Sequence, residues 1–446
     1  MTRLRVIWDS INASYWFYPA LVALSALVLA FFTTWLDQSG WARWLITREP
    51  LHWLSSIKLI QPALPSSAST MLSLIAGSML GMTATVFSIT IAAVAFASGT
   101  YGPRLLTNFM EDRGNQLSLA TFIGTFVYSL TVLRAVRSQE ETSAFFDGDP
   151  GLPGFVPQLS LLVAYLFVGI SVAVLVYFLH HIPASIRINS VLKGIGARLL
   201  KDIGERFPNR NTGKRAGSVP EGSPVVATQT GYIQAIDFAD LEKIAQSERG
   251  KLKLAVRIGD FVHPAMTIAY WADMDIVEDC PDEEVRDCFA LGSMRTPNQD
   301  TQFLIDELVE IALRALSPGV NDPFTAVTAV HWLGAATAEL GSRDLTRVFA
   351  QDGEEPHLVL LEDDFEHYLA RGFGSIRGGI ATNRIVAQVT FDALVDSATM
   401  IDDESRRAAI RKEGELLVQQ ARRHLVGPEL DAVEARYQQF LQRIER

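Results

Sequence analysis

Cys280 and Cys288 are the only cysteines in a chain of 446 residues. They form no CxxC pair and supply no disulfide framework, which points to a reducing compartment for the soluble part of the chain. A basic excess is also missing. Residues 1–182 hold nine basic and nine acidic side chains, so the formal net charge of −11 falls entirely on residues 183–446. An acidic half offers no cationic face, which excludes nucleic acid as a main partner. No GxSxG, Walker loop or dinucleotide fingerprint occurs. His263, His331, His357 and His367 show neither HxxxH nor HExxH spacing. No metal site and no cofactor are therefore expected.

The largest absence is of charge itself. Between Lys58 and Arg104 there is no charged residue. A bilayer core needs only about 20 apolar residues per helix, so a run this long belongs in lipid or inside other protein. Charged residues fence off four such spans, at about 14–36, 71–97, 117–133 and 159–182. Only helices or closed barrels satisfy backbone polar groups in lipid, and four hydropathy peaks fit four helices. Tyr15, Trp16, Phe17 and Tyr18 at one end of the first span and Trp35 at the other suit the headgroup level. Arg3 and Arg5 precede an apolar run longer than the roughly 7–15 residues of a signal core, so this run is expected to be a retained span.

Basic residues orient the spans. Arg3, Arg5, Arg104, Arg113, Arg187, Lys193, Arg198 and Lys201 fall on one side, and the cluster after the fourth span is the strongest. The expectation is a bacterial inner-membrane protein with both termini and the acidic region in the cytoplasm.

Residues 1–183 are thus read as a four-span transmembrane domain, and 184–222 as a helix followed by a Pro-, Gly- and Ser-rich linker. Over 223–275, short β-type segments punctuated by Gly231 and Gly259-Asp260, with a helical piece at 238–248, predict a small β module. The run VVATQTGYIQAID…LAVRIGDFVHPAMTIAYW is similar to the barrel-sandwich fold of biotinyl and lipoyl carriers. Those carriers hold a modifiable lysine at a hairpin tip; none is evident here, and the carrier role does not transfer. Residues 276–446 are read as mainly helical. The fold class is therefore an α-helical membrane protein with four transmembrane helices, followed by a cytoplasmic α+β region.

The segments ASGTYGPRLLTNF (97–109) and QDTQFLIDELVEIALRALSPGVNDPFTA (299–326) resemble an uncharacterised bacterial family of predicted inner-membrane proteins, known mainly as a domain of unknown function. The resemblance runs over nearly the whole chain and is most specific at ALSPGVNDPFTA. It implies this architecture and carries no activity with it.

Candidate site residues fall into three groups. Down the second span runs a stripe of small side chains at helical spacing, namely Ser73, Gly77, Gly81, Thr85, Ser88 and Ala92, continuing to Ala95 and Gly99. It is either a tight helix–helix contact or the wall of a pore completed by symmetry. Ser118, Thr121, Thr125 and Ser129 give the third span a hydroxyl face that is expected to meet the first across a polar interior. Tyr101 and Arg104, at the membrane exit, are candidates for lipid phosphate or a pore mouth. His180-His181 reads as a pH sensor or as interfacial side chains. Asp306, Glu310, Asn321 and Asp322 are spaced to hold a divalent cation or ligand, or equally to form a solvated charged face and a helix cap. No ionisable residue lies deep in a span, which counts against a charge-coupled transporter. The preferred expectation is a homo-oligomeric channel with membrane lipids and itself as partners. A sensor or scaffold and a divalent-cation-dependent enzyme are the alternatives.

Overall fold

Each apolar run forms a helix. α1 is Phe17–Gln38, α2 Pro65–Tyr101, α3 Arg113–Leu133 and α4 Gln158–Ser185, and all four are long and apolar enough to cross a membrane. The computed structural model describes residues 14–40, 64–102, 112–137, 154–208, 222–272, 281–297, 299–345, 357–361 and 364–445. Two compact units appear, one of Asp9–Gly99 and Pro103–Ile186, which holds the apolar helices, and one of Arg187–Arg446 together with Thr100–Gly102 and Met1–Trp8.

α2 extends beyond the expected 71–97, to about 55 Å at 1.5 Å per residue. Hydropathy marks only its apolar middle. The polar first turns are helical too: Pro65 suits the first helical position, and the Ser69 and Thr70 hydroxyls donate to the Ser66 carbonyl at 3.0 and 2.8 Å. α4 likewise continues past Pro183 to Ser185.

α3 is the central helix of its unit. Gly124 receives Val22 of α1 so closely that a Cβ would stand 2.8 Å from the valine methyl, and this is the close backbone approach of the bundle. α2 instead packs through larger side chains. Leu72 joins Ala30, Tyr128 and Leu161 in one apolar cluster; Met79 and Val86 join Phe122 and Phe178 in another.

The second unit begins with α5 (Ile188–Arg206), followed by β1 (Ser223–Val226), β2 (Gly231–Ile236), α6 (Phe238–Ser247), β3 (Lys251–Leu254), β4 (Phe261–Val262) and β5 (Thr267–Ala272). Next come α7 (Asp282–Asp287), β6 (Phe289–Gly292), α8 (Thr301–Ala315), α9 (Pro323–Ser342) and β7 (Leu358–Val359). One sheet has the order β1-β5-β3-β7, with only the β3–β7 pair parallel, and the other has the order β4-β2-β6. The β region is therefore two small sheets, and the expected limit at 275 is crossed, because β6 and β7 come from farther along the chain. Leu358 of β7 is 1% exposed in the core it shares with Leu252 and Trp271.

α10 (Phe365–Leu369) runs through one π-helical turn, Ala370–Gly374, into α11 (Ser375–Ile380). α12 (Arg384–Ala398), α13 (Glu404–His424) and α14 (Pro428–Ile444) complete the chain's described helices.

Candidate functional site

In the membrane-type unit the two polar stripes point different ways. Ser73, Gly77, Gly81, Thr85, Ser88 and Ala92 are all exposed, and a Cβ on Gly77, Gly81 or Gly99 would meet nothing within 4 Å. Thr85 and Ser88 satisfy their hydroxyls on the Gly81 and Ala84 carbonyls at 3.0 and 2.8 Å, one turn back. On α3, by contrast, Ser118, Thr125 and Ser129 are buried and Thr121 is half-buried. Thr125 shares a 3.0 Å hydrogen bond with Ser171 of α4. The Ser129 hydroxyl oxygen is enclosed without a partner. The expected meeting of the two hydroxyl faces is corrected: one is inside the bundle, the other on its outer surface.

Polar ties close both ends of α3 and α4. The Asp37 carboxylate, from the last turn of α1, accepts from the Leu159 and Ser160 amides at 2.9 Å each and from the Ser160 hydroxyl at 2.8 Å. It thus satisfies amides that the first turn of α4 leaves without helical partners. Nearby, the Tyr128 hydroxyl lies 2.9 Å from that of Thr33 and donates to the Ser160 carbonyl at 3.2 Å. At the other end of α3, Asp112 caps the helix through the Gly114 amide and lies 2.7 Å from His181 Nε2. His181 is therefore held while His180 is exposed. Arg104 and the side chain of Tyr101 lie outside the described residues.

In the second unit the candidate acids have other partners. Asp306 receives Arg295 at 2.6 Å and both Nε and a terminal nitrogen of Arg371 at 2.7 Å. Arg371 sits on the π-helical turn, which carries it across to α8. Arg295 also donates to Asp300 at 3.0 and 2.7 Å, so two carboxylates and two guanidiniums form one chain of charge. A divalent cation at Asp306 would have to displace both arginines. Glu310 stands 3.8 Å from Arg314. Asp322 caps α9, accepting from the Thr325 amide at 3.2 Å and its hydroxyl at 2.6 Å, with Pro323 at the first helical position. Asn321, at φ +46°, makes the turn before it. These four residues do not converge, and among the described residues no group of three or more His, Cys, Asp or Glu is placed to hold a metal ion.

The same unit contains a cavity next to the charge chain. It is small, about 70 Å³, and its lining includes Arg206, Phe207, Leu254, Arg257, Thr301 and Tyr368. Asp202 anchors one side, accepting from Arg206 Nε at 2.7 Å and the Thr301 hydroxyl at 2.6 Å. Gln299, at φ +57°, accepts from the Ile236 amide at 3.2 Å and takes an Arg206 hydrogen bond on its carbonyl. Asp300, 3% exposed, caps α8 through the Phe303 amide at 2.9 Å. Burial pushes its carboxyl above the usual range, against the opposing pull of Arg295.

Residues 12–396 match the family described as "Predicted membrane protein (DUF2254)". The chain belongs to this family. Similar proteins include "Uncharacterized protein Rv1290c" of Mycobacterium tuberculosis and "Uncharacterized protein Mb1321c" of Mycobacterium bovis. Each is 30% identical over 376 residues, covering 82% of this chain and 70% of the relative. No solved structure matches. The matched region of this DUF2254 chain ends within α12, so α13 and α14 lie beyond it. Sequence reasoning missed Arg206, Arg295, Arg371 and Gln299. Asp300 before an apolar helical run carried a capping signal, but arginine partners 5 and 65 positions away from an acid leave no local pattern.

Proposed function

We propose that the protein is a homo-oligomeric channel of the bacterial inner membrane, with both termini and the second unit cytoplasmic. The α2 helices of several copies line or flank a shared path. One observation supports this most. On the small face of α2, Ser73, Gly77, Gly81, Thr85, Ser88 and Ala92 are exposed, and among the described residues a Cβ at Gly77 or Gly81 would meet open space, while the opposite, larger side chains are already packed. Small residues let helix backbones approach closely in lipid, and Gly77 and Gly81 form the GxxxG spacing typical of such contacts. Copies of one chain are the natural occupant, because a closed ring places the same face of each subunit toward one axis. Large exposed side chains on the remaining surface, such as Leu24, Val28 and Phe31 of α1 and Leu166, Val172 and Val176 of α4, suit acyl chains.

The test is mass measurement in mild detergent, together with planar-bilayer recording, on the wild type, Gly81→Trp and Ser88→Trp. The reading expects a defined oligomer, conductance in the wild type and altered conductance in at least one variant. A monomeric wild type, or a bilayer without conductance, overturns it.

A further inference from the structure

The cavity beside Asp300 has a built frame that the channel reading does not use. Three independent anchors fix its walls. Asp202 holds Arg206 and Thr301 together. Gln299 ties the start of α8 to β2 through the Ile236 amide. The 257–260 turn presses onto α8 at Gly259, whose φ is +90° and where an added Cβ would collide with the Asp300 carboxylate and with Arg295 at 2.7 Å. Only glycine permits that approach, and the turn closes on itself where Asp260 accepts from the Arg257 amide at 2.8 Å. Groups held this way cost little entropy to order around a ligand.

The chemistry of the wall has two parts. Phe207, Leu254 and Tyr368 supply apolar and aromatic surface, with Phe207 and Tyr368 edge to face at 6.1 Å. The charged lining side chains are two guanidiniums, Arg206 and Arg257, and one carboxylate, Asp300, which is already hydrogen-bonded to Arg295. The first turn of α8, a 15-residue helix, also borders the space, and its positive dipole end favours negative charge.

We propose that this cavity binds a small amphipathic anion, a carboxylate or phosphate carried on a compact apolar or aromatic body. The charged head sits toward Arg206 and Arg257 and the body against Phe207, Leu254 and Tyr368. The proposal goes beyond the channel reading and does not depend on it: a monomer would bind as well as an oligomer.

The experiment uses the full chain in nanodiscs of phosphatidylcholine, with trifluoromethylbenzoate as the probe and fluorine NMR line broadening as the readout. Trifluoromethylbenzamide, the neutral counterpart, is the control. Saturable broadening by the benzoate is expected, with affinity at least about ten-fold weaker for the amide. Arg257→Gln should lose a similar factor, Arg257→Lys should retain most of the binding, and Leu361→Trp at the lining should block it. Melting temperatures of each variant check folding, and the lysine and tryptophan variants decide the matter if the glutamine variant does not fold. Broadening no greater than that of empty nanodiscs, equal binding of acid and amide, or binding unchanged by Arg257→Gln and Leu361→Trp overturns the proposal.

Discussion

Asp306 stands between Arg295 and Arg371, and that position decides what its loss would do. Removing the carboxylate leaves two guanidiniums, 13% and 28% exposed, facing each other without their shared counter-charge. Asp306→Ala is therefore expected to destabilise the protein by roughly 2–3 kcal/mol, less than a fully buried pair because of partial exposure. Chemical denaturation of the second unit, followed by fluorescence, measures this, and a change below about 0.5 kcal/mol would show the chain of charge to be ornamental. Glu413 makes a second test. It is buried and receives Arg377 at 2.9 and 2.7 Å, yet burial pushes its carboxyl upward against that arginine. A carboxyl whose folded value is raised binds its proton more readily in the folded state, so its contribution to stability is present at low pH and is lost as pH rises through the raised value. The stability of the wild type relative to Glu413→Gln should therefore increase as pH falls toward the usual glutamate range; an opposite slope would contradict the burial argument. Cys288 is a third. Burial, and then the carboxylates of Asp237, Asp240 and Asp287, push its thiol up to about 12. In a Cys280→Ser background, iodoacetamide at pH 8 should label folded Cys288 at least about a thousand-fold more slowly than the denatured chain, since the thiolate is the reactive form.

Two glycines on neighbouring helices separate inner from outer packing. Gly124 of α3 has Val22 against it, whereas Gly81 of α2 faces open space. Gly124→Leu should therefore disrupt the bundle of a single chain, seen as lost folded monomer in detergent. Gly81→Leu should leave the monomer's melting temperature within a degree or two and act only on assembly. Equal damage from both would mean that α2 has a close partner inside its own chain. The elements themselves are well marked in the sequence. The four spans, the helical piece expected at 238–248 and the mainly helical character of 276–446 follow from hydropathy, period and punctuation, which are local. Non-local features are not legible. The polar start of α2 looks like loop until its hydroxyls find backbone carbonyls, and β6 is too short to announce the sheet it joins. The small stripe and the α3 hydroxyls have the same spacing and composition, and only three-dimensional packing shows one outside and the other within.

As a whole molecule, the chain couples a lipid-suited bundle to an acidic unit with its own ion-pair network and cavity. The tie between Asp37 and the first turn of α4 also carries a consequence for synthesis. Its partners, Leu159 and Ser160, lie 122 and 123 residues downstream. At about 5–20 residues per second, the ribosome needs roughly 6–25 s to make that stretch. Through that interval the Asp37 carboxylate is without these partners, and the contact can form only once the first turn of α4 has been made.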